Sequence, residues 1–169
     1  VKAATLKKDM DTVMYGGYDA LNRVSDESKN NKEFVMVAVA KQGQALLYAS
    51  DELKNDKEVV VVALKSMDMS GGSSPLKHAS DELKNDKEVV MAAVAQDGGA
   101  LQYASEELKN DKEVVMVAVA QNSDALQYAS EELRNDSEVR AAVSASSSSG
   151  APSVSFGSSG MLPTAGFKF

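Results

Sequence analysis

The chain has 169 residues, with 25 acidic against 18 basic side chains, a net charge of −7, and no cysteine. Nucleic-acid affinity comes from clustered lysine and arginine, so this balance argues against such a partner, and the missing cysteine removes disulfides and thiolate chemistry. No apolar stretch approaches the roughly eighteen residues needed to cross a bilayer, so the chain is not expected to span a membrane itself, and attachment to a membrane-bound complex stays open.

Residues 1–23 match the rest of the chain loosely, in LKKDMDTV at 6–13 and DALNRVSDES at 19–28, and are expected to form divergent N-terminal capping helices. From Val24 a unit of 25 residues recurs, with starts near 24, 49, 79, 104 and 129. ASDELKNDKEVV at 49–60 returns unchanged at 79–90 and as ASEELKNDKEVV at 104–115. An array of near-identical units makes a surface rather than a reaction centre. One insertion, within KSMDMSGGSSP at 65–75, has the glycine, serine and proline of a surface loop and is placed at 66–74.

Each unit divides into two short amphipathic elements. Ala100, Leu101, Ala104 and Leu108 fall at i, i+1, i+4 and i+8, one stripe of a helix running from about 100 to 109. A second helix is expected to start after Asn110, with Glu113 three positions later as in a capping box. Asn30/Glu33, Asn55/Glu58, Asn85/Glu88 and Asn135/Glu138 repeat the pairing. The run VVMVAVA at 114–120 is rich in residues that favour strands, so a strand-plus-helix solenoid is the alternative. The cap, the alanines and a length of about ten residues favour a short, mostly buried helix, stable only through packing between units.

With these motifs in view, DKEVVMVAVAQNSDALQYASEELRND at 111–136 resembles a tandem α-helical repeat family known as a domain of unknown function, found mainly in algae, other protists and some bacteria. The resemblance covers roughly residues 25–145. It implies an all-α fold, with short helix pairs stacked as an α-solenoid-like array over 24–145, and it brings no catalytic residues or cofactor. The first unit departs from the pattern, and so does the last, where Arg140 replaces the second valine; both changes suit solvent-facing ends.

Candidate chemistry is sparse. The one histidine, His78, occupies the repeat position of Tyr48, Tyr103 and Tyr128 and reads as a packing substitute rather than a ligand. The pairs Asp51/Glu52, Asp81/Glu82, Glu106/Glu107 and Glu131/Glu132 could bind a cation. Neighbours on a helix diverge by about 100°, however, and a solvated face is the simpler reading. Gly16-Gly17, Gly71-Gly72 and Gly98-Gly99 lack the residues that complete phosphate-binding loops and read as turns. Met36, Met91 and Met116 could form a soft binding stripe, but flanking valines favour core packing. No enzymatic activity is expected. Tyr48, Tyr103 and Tyr128 are the better surface candidates, because stacked units would bring their rings and hydroxyls into a ladder.

After Ala145 the composition changes to SSSSGAPSVSFGSSGMLPTAGFKF, an extended, non-regular tail over 146–169. Val154, Phe156, Met161, Leu162, Phe167 and Phe169 are spaced along it as anchors that could dock on a partner. The expectation is a non-catalytic scaffold or linker subunit that binds protein subunits of a larger complex. The family's distribution, the absence of an initiator Met and the tail together suggest a plastid protein peripheral to a photosynthetic light-harvesting complex; a cytoplasmic setting is the alternative. A free peptide-binding module of signalling and an accessory domain of a larger enzyme remain as alternatives.

Overall fold

The computed structural model describes residues 2–16, 18–67 and 73–148, and every regular element among them is helical. The expected array is present, but each unit is built from three pieces rather than two. After α1 (Lys2–Tyr15), the first unit comprises a 3-10 segment Tyr18–Arg23, a one-turn helix α2 (Asp26–Lys29) and a longer helix α3 (Lys32–Lys41). The second has Gly43–Tyr48, α4 (Asp51–Lys54) and α5 (Lys57–Lys65), and the third has Pro75–His78, α6 (Asp81–Lys84) and α7 (Lys87–Val94). Gly98–Tyr103, α8 (Glu106–Lys109) and α9 (Lys112–Gln121) form the fourth. The fifth is Ser123–Tyr128, α10 (Glu131–Asn135) and α11 (Ser137–Ser148). Of the insertion at 66–74, residues 68–72 lie outside the described residues.

Two local expectations are corrected. The helix predicted over 100–109 is broken, because Ala104 and Ser105 are extended and the Ser105 hydroxyl caps α8 by accepting the Leu108 amide at 3.2 Å. Leu101 and Leu108 stay on the core side across that break, so their spacing hides it. The cap of each longer helix is also one residue later than expected. Asp111 is extended, and its Oδ1 accepts the amides of Glu113 at 3.0 Å and Val114 at 3.2 Å, whereas Asn110 ends the preceding turn in a near-helical conformation. An N-cap needs the extended backbone, which Asp111 has and Asn110 lacks. Asn31, Asp56, Asp86 and Asp136 play the same part in the other units.

The longer helices supply the core. In α9, Val114, Val115, Ala118 and Val119 are buried, the i, i+1, i+4, i+5 face of a helix, and α3, α5 and α7 repeat that face. The strand alternative for this run therefore fails. Adjacent longer helices pack in the order α3, α5, α7, α9, α11, giving one hydrophobic core from Val13 to Val139. Met36, Met91 and Met116 are half-buried against it, as the packing reading expects.

The two ends differ. Asp9 on α1 is buried, and its Oδ2 accepts the Ser25 amide at 3.1 Å and the hydroxyls of Ser25 and Ser28, each at 2.7 Å. Burial pushes this carboxyl up, but the Ser28 and Ser25 hydrogen bonds outweigh it and hold Asp9 below the ordinary carboxylate range. At the other end Arg140 is exposed where Val115 is buried, and α11 continues to Ser148, past the residue where the tail was expected to begin.

Candidate functional site

The 3-10 segments contact one another in chain order, which sets Tyr48, His78, Tyr103 and Tyr128, the last residue of each, in a row along the array. Arg23 holds that position in the first unit. The three tyrosines are half-buried, each packed on the core. Tyr103 lines a groove with Asp81 and Lys84 of one one-turn helix and Ala104, Ser105 and Glu106 at the start of the next. The ring thus sits at a notch between consecutive units, with charged groups of both signs on the rim. His78 is also half-buried, and burial first, then the nearby Lys77, Lys54 and Lys84, pushes its imidazole below the ordinary value. It is neutral at pH 7 and packs where its neighbours place a phenol.

What positions this row is a set of polar contacts between units. The Ser50 hydroxyl donates to Asn30 Oδ1 at 2.8 Å, and Ser80, Ser105 and Ser130 donate likewise to Asn55, Asn85 and Asn110. The amides of the same serines donate to the carbonyls of Lys29, Lys54, Lys84 and Lys109. A second ladder is ionic. Lys57 Nζ lies 2.8 Å from Asp86 and 2.6 Å from Glu88 of the next unit. Lys32 reaches Asp56 and Glu58, Lys87 reaches Asp111 and Glu113, and Lys112 reaches Asp136 and Glu138. Both ladders escaped the sequence reading, which took the acids as water-facing. That reading holds for Asp51 and Asp81, which are fully exposed, and for the ladder glutamates, which stay mostly exposed while pairing; the ladder aspartates are largely covered. The available signal lay in the departures: Asn31 replaces the ladder aspartate in the first unit, and Ser137 replaces the lysine in the last unit.

Each ladder lysine is held above its ordinary value by its two carboxylates. The Lys57 and Lys87 bridges hold Asp86 and Asp111 below theirs; at Asp56 burial opposes the Lys32 bridge, and the bridge wins. A depressed carboxylate stabilises the fold above its unfolded pKa and loses that contribution as pH falls. A raised lysine stabilises below its unfolded pKa and loses its contribution as pH rises. The urea midpoint should therefore stay level between about pH 7 and 9, fall on acidification as first His78 and then the ladder carboxylates take up protons, fall again above about pH 10.5, and drop slightly with added salt at neutral pH, since the pairs are exposed. A midpoint that rises on acidification would contradict the ladder.

The tail residues Val154, Phe156, Met161, Leu162, Phe167 and Phe169 lie outside the described residues. Among the described residues, no helix is long and apolar enough to cross a membrane, and no three His, Asp or Glu side chains are grouped to hold a metal ion. Residues 31–70, 72–109 and 86–134 each match the model of one family, described as "Domain of unknown function (DUF4116)". No curated protein and no solved structure matches the chain.

Proposed function

Because the chain belongs to the DUF4116 family, whose description names no activity, we propose from its own geometry that it is a non-catalytic scaffold subunit that binds protein partners within a larger assembly. The observation that carries this reading is the tyrosine row. Large rings are held half-buried, Tyr103 at a notch between units, at a spacing fixed by two polar ladders and a continuous core. Aromatic anchors beside charged rims suit protein recognition, because a ring offers apolar area and a hydroxyl at little conformational cost. The tail is proposed as the second contact, since joining two weak contacts in one chain makes the second intramolecular.

The test uses the full-length protein with Tyr103→His and Tyr128→His, the residue the array already accepts at position 78. A parallel variant carries Phe167→Ser and Phe169→Ser. Each pair should weaken retention on the partner complex about 30-fold or more, the effect of losing a buried aromatic anchor, while circular dichroism stays unchanged. Loss with the tyrosine pair alone would favour the free binding module. Undiminished retention of both variants would remove the proposal.

A further inference from the structure

The repeat frame reaches one unit further back than the array itself. Counting 25 residues down from α3 places Asp9, Met10, Val13 and Met14 of α1 where Phe34, Val35, Ala38 and Val39 are buried. The 3-10 segment Tyr18–Arg23 follows α1 as Gly43–Tyr48 follows α3. Lys41 repeats the correspondence at the end of the helix. Its Nζ donates to the Val13 carbonyl at 3.3 Å and to the Met14 carbonyl. Gln121, at the same repeat position, donates from Nε2 to the Ala95 and Gln96 carbonyls at 2.9 and 3.4 Å. α1 is therefore the longer helix of a truncated unit, docked where a preceding repeat would stand.

The seam it makes differs from those behind it. Of the four core positions, α1 keeps one buried apolar group, Val13; Asp9 is polar, Met10 is half-buried and Met14 is 47% exposed. Asp9 faces Ser28, which stands where the other units bury Leu53, Leu83, Leu108 and Leu133. A polar pair thus replaces an apolar one. Asp9 Oδ2 also takes the Ser25 amide and hydroxyl, the donors that Ser50 sends to the Lys29 carbonyl and Asn30 Oδ1 in the next unit. Packing beside it is incomplete: a pocket of ≈ 110 Å³ lies between α1 and the first two units, lined by Val13, Gly16, Leu21, Ala38, Lys41 and Ala45. A gap forfeits dispersion contacts, so α1 is held by far less apolar burial than α5, α7 or α9.

We infer that α1 is a releasable cap: it opens from the array as one piece while the helices behind it stay folded, and the Asp9 carboxylate sets how readily it opens. Segments with few buried apolar contacts open at a lower free energy than the core of the same protein. Opening bares Leu21 and Ala38, which line the pocket with Val13, and with them the face on which a preceding repeat would stack. The array thus carries at its N-terminal end an apolar surface that α1 covers and can expose. The inference stands apart from the proposed function, which rests on the tyrosine row and the tail.

Hydrogen–deuterium exchange of the full-length protein in rising, sub-denaturing urea separates local from global opening. The amides of α1 should be protected about 100-fold less than those of α9 and should depend less on urea, because opening α1 alone exposes little surface. Asp9→Asn removes the charge from the acceptor and should speed α1 exchange about tenfold while leaving α9 unchanged. Asp9→Val together with Ser28→Leu installs the apolar pair of the other units and should slow α1 exchange about tenfold, again without effect on α9. Equal protection of α1 and α9 would overturn the inference, since the cap would then unfold only with the array. So would an Asp9→Asn protein whose α1 exchange is unchanged or whose α9 loses protection equally, or an apolar pair that fails to slow α1.

Discussion

Val115→Asp should unfold more than one unit at once. Val115 is wholly buried in the middle of α9, which packs against α7, α11 and the 3-10 segments Gly98–Tyr103 and Ser123–Tyr128. A carboxylate there has no partner and no water, and such a group costs more than about 4 kcal/mol, a large part of the roughly 5–15 kcal/mol that holds a domain together. A ten-residue helix is not stable alone, so once α9 leaves, its neighbours lose the surface that supports them. The mutant should show a large loss of helical circular dichroism at 25 °C or a second, much lower transition covering several units. Arg140→Asp supplies the control at the same repeat position. Arg140 is exposed at the end of the array, and its replacement should change stability by no more than about 0.5 kcal/mol. A normal melting curve for Val115→Asp would mean that the valine run faces solvent.

The next largest effect is expected at Gly98. A Cβ added there would lie 2.3 Å from the Ala118 carbonyl oxygen and 3.1 Å from Asn122, so the 3-10 segment rests directly on the backbone of its own unit's longer helix. Gly43 repeats the arrangement, with the Ala63 carbonyl 2.0 Å from the added carbon. Backbone cannot swing aside as a side chain can, so Gly98→Val must push the segment away from α9 and disturb the Leu101 and Tyr103 positions with it. The expected cost is about 1–3 kcal/mol, read as a lower urea midpoint. Gly99→Val meets only the Asp97 side chain and should cost much less. Equal effects at the two glycines would show that the segment is not seated on the helix.

The sequence made some of this legible because its signals act over one helical turn. The repeat period, the buried valines and the exposed Arg140 all follow from spacing and from comparing units. The break at Ser105 was hidden because leucines on both sides of it face the same core. The identity of the caps turned on whether Asn110 or Asp111 is extended, which composition does not decide. The ladders were hidden for another reason: Lys57 and Glu88 are 31 residues apart, and Ser105 and Asn85 are 20 apart, so neither pair has a local signature. Repeated polar residues in an array carry information about neighbouring units, and substitutions confined to the terminal units, such as Asn31 and Ser137, show where those contacts stop. The tyrosines recur at one position of the repeat, which spacing alone discloses, and the structure adds the notch that Tyr103 lines.

Lysine-directed cross-linking with mass spectrometry on native material tests the scaffold reading most directly, because Lys54, Lys77 and Lys84 lie beside the tyrosine row and Lys168 lies near the end of the tail. The account predicts links from a partner protein to at least one lysine of the row and to Lys168 in the same complex. Recovery of the chain with intramolecular links alone, or with partner links confined to lysines away from both, would contradict it.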